Sequence, residues 1–112
     1  ISGLGAMECR SDAWNLDVVV AGSQKGLMLP PGLAFVSVSA KAWQRIDTQP
    51  ASPSFYFDLR KYRESLKTND SPFTPANGLI RGLARSLALL RAEGLETCWA
   101  RCARLARMAR AG

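Results

Sequence analysis

Three observations predict an α/β fold with a mostly parallel sheet that carries one reversed strand and is followed by helices. The first is the run Asp17-Val18-Val19-Val20-Ala21, closed by Gly22. Unbroken β-branched character of this kind marks a strand covered on both faces. The second is another apolar stretch, Leu33 to Ser39, which opens after the turn residues Pro30-Pro31-Gly32. Gly22 to Gly32 leaves too little chain for a helical crossover, so if the two strands are neighbours they run antiparallel. The third is a set of leucines at helical spacing in the last third of the chain.

The remaining elements follow in order. Ile1-Ser2-Gly3-Leu4-Gly5-Ala6 reads as a loop in which Gly3 and Gly5 are turn residues; it lacks an initiating Met, and the chain therefore reads as an excerpt of a longer protein. Ala40 to Ile46 suits a short helix carrying Trp43, an expected buried anchor. The loop Gln49 to Ser54 leads into Phe55-Tyr56-Phe57, and Asp58 is placed to cap a helix ending at Leu66. After the polar segment Thr68 to Thr74, Pro75 suits the first turn of a helix. Leu79, Leu83, Leu87 and Leu90, with Ile80, form its apolar face, and Gly94 is its C-cap. A last helix carries Leu95, Cys98, Trp99, Cys102 and Leu105 on one stripe, Trp99 again as a buried anchor.

Composition narrows the chemistry. With 112 residues the chain holds at most one domain, and 47% hydrophobic against 21% charged residues is ordinary globular composition. The absence of His removes Ser/His/Asp and Cys/His catalysis and every His metal site. Cys9, Cys98 and Cys102 make no disulfide framework, which fits a reducing cytoplasm, and Cys98 with Cys102 reads as small apolar packing rather than a metal site. The longest uncharged stretch, Gly26 to Ala40, is broken by prolines and is shorter than the ~20 apolar residues a membrane span requires. The net charge of +6 is concentrated at the C-terminal end, where Arg101, Arg104, Arg107 and Arg110 wind around a helix without aromatic interleaving. A solvated surface is expected there, with no specific nucleic-acid partner.

Gly22-Ser23-Gln24-Lys25-Gly26 is the most informative segment, because it sets one Lys between glycines at the C-terminal end of a strand, where α/β sheets bind ligands. A lysine that gives up hydration at such a place is a nucleophile for Schiff-base chemistry. Ser23 and Gln24 add polar groups beside it.

The longer string from Asp17 to Ser39, with that segment at its centre, resembles the class V pyridoxal-phosphate aminotransferases. Tyr56-Phe57-Asp58-Leu59, Pro72-Phe73-Thr74-Pro75 and Ala92-Glu93-Gly94-Leu95-Glu96 continue the resemblance in order and spacing, so it covers essentially the whole chain. It is strongest to the branch with alanine-glyoxylate and serine-glyoxylate aminotransferases and the soluble hydrogenase small subunit. The resemblance implies the large domain of a fold type I transferase, with residues 1–112 as its C-terminal half and the small domain absent. It also implies pyridoxal 5'-phosphate bound as a Schiff base by Lys25, Gln24 and Ser23 beside it, and a homodimer in which Thr74 reaches the phosphate of the neighbouring subunit's cofactor. Some members carry a tyrosine where this chain has Ser71.

The implied reaction passes an amino group from a small amino acid, alanine or serine, to a 2-oxo acid such as glyoxylate. The aspartate that pairs with the pyridine nitrogen is expected ahead of Ile1 and the substrate-binding arginine beyond Gly112, so the chain alone is expected to be inactive. Two alternatives stand beside this reading. A lyase or desulfurase of the same fold is disfavoured by Gln24, since desulfurases usually place His there; a basic helical interaction module rests on the C-terminal arginines alone.

Overall fold

The computed structural model describes residues 1–112. Its order is β1 (Val18–Gly22), β2 (Ala34–Val38), α1 (Ala40–Asp47), α2 (Leu59–Leu66), α3 (Asn77–Glu93) and α4 (Leu95–Ala111). The strands pair antiparallel, from Val18 opposite Val38 to Gly22 opposite Ala34, as the short connection between them requires. They form a two-stranded sheet, so the parallel strands expected of the wider fold have no counterpart within this chain.

That small sheet alters the expected burial of β1. Val18 and Val20 are 49% and 52% exposed, and Ala21 is the strand's one buried residue. The β-branched run forms a strand, but nothing in the chain covers the face bearing its alternate valines. The radius of gyration is 16.6 Å, against about 13 Å for a compact domain of this length. Apolar faces thus stand open on both the sheet and the helices.

The helices begin and end where local chemistry dictates. Ser39 caps α1, its hydroxyl accepting from the Ala42 N–H at 3.0 Å and donating to Asp17 at 3.1 Å. Asp58 caps α2 by accepting from the Arg60 N–H at 3.1 Å while the Arg60 guanidinium grips both its carboxylate oxygens. Arg63 joins α2 to α1 through a bidentate pair with Asp47 and lies 4.1 Å over the Trp43 ring. Trp43 and Trp99 are half-buried rather than the enclosed anchors expected, because each helix packs on one side only. Helix α3 starts two residues after Pro75, whose carbonyl accepts from the Asn77 N–H.

The core is small and lies under the 23–33 loop. Leu27 and Leu29 from that loop meet Leu90 of α3 and Cys98 of α4, with Leu4, Phe35, Leu83 and Cys102 packed around them. The buried line on α3 runs through Leu83, Ser86 and Leu90; Leu87, expected on this face, is exposed. On α4 the thiols of Cys98 and Cys102 turn inward, whereas Leu95 and Leu105 are exposed.

Gly94 makes the corner between α3 and α4 at φ +85°, a backbone state that favours glycine. Across that corner Arg101 holds Glu93 with both prongs, at 2.5 and 2.8 Å. The guanidinium keeps the Glu93 carboxyl below its ordinary value of 4.5. A depressed acid stabilises the fold above its unfolded value and loses that contribution as pH falls through the folded one. We therefore expect the stability difference between the wild type and Glu93→Gln, read from urea midpoints of the whole protein, to hold constant above about pH 5 and to close below it. A difference that persists unchanged into acid would show that the ion pair contributes nothing.

Candidate functional site

Lys25 stands on the turn that leaves β1, and the turn is built from within. Ser23 is fully buried; its hydroxyl donates to the Pro30 carbonyl at 2.7 Å and accepts from the Leu33 N–H at 3.2 Å. Its backbone N–H donates to Leu33 and its carbonyl accepts from Leu29, so one small residue ties both ends of the 23–33 loop. The Ser23 hydroxyl proton is thereby spent inside the loop, and the residue acts on the site by shaping it. The Lys25 carbonyl accepts from the Met28 N–H at 2.9 Å, with Met28 in the left-handed region at φ +58°.

Two further supports hold this turn. Gly26 crosses the N-terminal loop so closely that a Cβ on it would lie 2.3 Å from the Leu4 carbonyl oxygen. From below, the Ser86 hydroxyl of α3 donates to the Leu27 carbonyl at 2.5 Å. Neither support is visible in sequence periodicity. The one available signal for Ser86 is a polar residue that keeps the 4-3-4 spacing of Leu79, Leu83 and Leu90.

Lys25 and Gln24 project from the turn into a cavity of about 570 Å³, walled by Val20, Ala21 and Gly22 on one side and Pro31, Gly32 and Leu33 on the other. Neither side chain has a hydrogen-bond or ion-pair partner in the chain, and both are exposed. The desolvation expected of Lys25 is accordingly not supplied by these 112 residues, because the cavity's walls enclose it on part of its circumference. Chemically the site offers a primary amine and a carboxamide in a pocket whose size suits a small molecule.

Thr74 and Ser71 line a second cavity, of about 690 Å³, among Trp43, Tyr56, Tyr62 and Phe73. The two cavities share Gly32, Leu33 and Ala34 as a common wall, which separates Thr74 from Lys25. Of the residues singled out in the sequence, Ser23, Gln24 and Lys25 stand together and Thr74 stands apart. Around it, Phe55, Tyr56 and Phe57 form an exposed aromatic surface with Phe73. The arginine series on α4 is thinned by the Glu93 pair, which leaves Arg104, Arg107 and Arg110 without carboxylate partners. No helix is long and apolar enough to cross a membrane.

The fold that carries this turn is found in solved aminotransferases. The alanine–glyoxylate aminotransferase of a Nostoc species superposes with a TM-score of 0.84 over 90% of this chain and 27% of its own, at 27% identity. In sequence, the chain is 49% identical over 111 residues to the soluble hydrogenase small subunit of a Synechococcus species, covering 99% of this chain and 29% of that protein. It is 45% identical over 111 residues to the L-aspartate–glyoxylate aminotransferase of Paracoccus denitrificans, covering 99% of this chain and 28% of that enzyme. No family model matches. The chain is homologous over essentially all its length to class V aminotransferases, and it spans a little over a quarter of the curated relatives it matches.

Proposed function

We propose that this chain is the Lys25-bearing part of the large domain of a pyridoxal-phosphate-dependent aminotransferase, acting as a homodimer on a small amino acid, alanine or serine, and a 2-oxo acid such as glyoxylate. The observation that carries the reading is the unpartnered Lys25 amine, on a turn fixed by Ser23, at the mouth of a cavity large enough for a small cofactor. The residues fit one end of that group: an amine suits an aldehyde and the Gln24 carboxamide suits a phosphate oxygen. The chain's open apolar faces agree with a segment that packs against more protein than it contains.

When bound, pyridoxal phosphate supplies an electron sink for charge developing on the substrate α-carbon. The chain's own residues do the rest. Lys25 Nζ would hold the cofactor through its aldehyde and, once released by the incoming amino acid, would be the base and then the acid that moves the substrate α-proton. Gln24 would hold the phosphate. Ser23 and Gly26 keep the turn in one pose, so that Nζ is presented to the cavity without reorganisation. Thr74, separated from Lys25 by the 32–34 wall, serves the neighbouring subunit's site.

Borohydride reduction of the cofactor-loaded protein, followed by peptide mapping, tests the assignment. The expected result is a single adduct on Lys25. An adduct on another lysine would sink it.

A further inference from the structure

Helix α3 reaches the Lys25 turn through one polar contact, from Ser86. Ser86 is 6% exposed in the middle of a 17-residue helix, and its Oγ lies 2.5 Å from the Leu27 carbonyl, 59 residues earlier in the chain. A serine here is costly in two ways: it forms helix less readily than alanine, and its hydroxyl must be desolvated. The bond offsets both, and it satisfies a carbonyl beneath the loop that would otherwise be buried without a donor. One turn earlier, Gly82 lets Leu29 approach so closely that a Cβ would stand 3.2 Å from Leu29 Cδ2. One turn later, Leu90 packs on Leu27 and Leu29. Helix and loop therefore meet along three turns, and only the central one is directional.

We propose that Ser86 is a positioning residue for Lys25: through the Leu27 carbonyl it fixes the height and rotation of the turn that carries the amine. Apolar packing resists separation but permits sliding, whereas one hydrogen bond along α3 selects a single register. Lys25 lies two residues from the bonded carbonyl, so a loop that slips on α3 carries the amine with it. The inference rests on the reading of Lys25 as the reactive lysine.

The test compares Ser86→Ala, Ser86→Thr and Gly94→Ala in the whole protein. Gly94→Ala strains the α3–α4 corner, which takes no part in the Ser86–Leu27 bond, and so controls for lost stability. Competitive acetylation of the cofactor-free protein, mapped by mass spectrometry with Lys41 as internal reference, reports how the Lys25 amine is held. Ser86→Ala is expected to change the Lys25 labelling rate by about fivefold, the factor a lost neutral hydrogen bond of ordinary strength gives. Ser86→Thr is expected to restore the wild-type rate, and Gly94→Ala to leave it unchanged. Labelling of Ser86→Ala at the wild-type rate, or a Gly94→Ala effect as large, would overturn the role of Ser86. Borohydride trapping on a lysine other than Lys25 would instead overturn the reading beneath it, so the two failures are told apart.

Discussion

Exchange of Lys25 for alanine in the whole protein is expected to abolish transamination and leave the fold intact. The side chain makes no hydrogen bond or ion pair and is exposed, and a surface substitution of that kind shifts stability by no more than about 0.5 kcal/mol. Its chemical loss is far larger. Lys25 is assigned both the attachment of the cofactor and the transfer of the proton, and proton transfer by a positioned side chain is alone worth about 10²–10⁴ in rate. No side chain of these 112 residues can take over: the chain contains no His, and Ser2 and Gln24, the other polar side chains at the cavity, have no basic group. Turnover of alanine or serine with glyoxylate, measured beside thermal unfolding, checks the result. Wild-type turnover by Lys25→Ala would remove the lysine from the mechanism, and a collapsed fold would contradict its lack of partners.

Much of this architecture was legible in the sequence, and the parts that were not share a physical cause. Local signals served well: the Asp58 cap, the Gly94 corner and the antiparallel turn of Gly22 to Gly32 each depend on residues a few positions apart. The group Ser23, Gln24 and Lys25 is likewise local. What escaped depends on chain that is distant or lies elsewhere. The β-branched run of β1 signals a covered strand, yet nothing in these 112 residues covers it, so Val18 and Val20 stand exposed. Leucine spacing gave the face of α3 but placed Leu87 where Ser86 belongs, since a hydroxyl that bonds a carbonyl 59 residues away has no hydrophobic signature. The interlock of Gly5 and Gly26 is a contact between two loops, and the glycines announced only turns.

That interlock predicts a strong effect from the addition of one methyl group: Gly26→Ala is expected to damage stability and turnover together. A Cβ at position 26 would lie 2.3 Å from the Leu4 carbonyl oxygen and 3.0 Å from the Ala6 nitrogen, both backbone atoms that cannot rotate away. The opposing strand of the crossing is no freer, for Gly5 sits at φ +91° with its own Cβ position 2.9 Å from the Gly26 carbonyl oxygen. Relief therefore requires the whole N-terminal loop to move off the turn. Leu4 packs on the core under the loop and the Cys98 thiol donates to the Gly5 carbonyl, so that movement also loosens α4. Overpacking of this kind costs about 1–3 kcal/mol, and two facing backbones put Gly26→Ala at the upper end. If the turn yields instead, the adjacent Lys25 is displaced, and a shift of about 1 Å in a reacting group costs on the order of 10² in rate. Gly78→Ala supplies the contrast: its Cβ would meet nothing within 4 Å in the first turn of α3, and removing a helical glycine stabilises by about 0.5–1 kcal/mol. Thermal unfolding and steady-state turnover of the two variants should move in opposite directions for stability and diverge by about 10² in kcat. A Gly26→Ala protein as stable and active as Gly78→Ala would mean that the N-terminal loop does not brace the lysine turn.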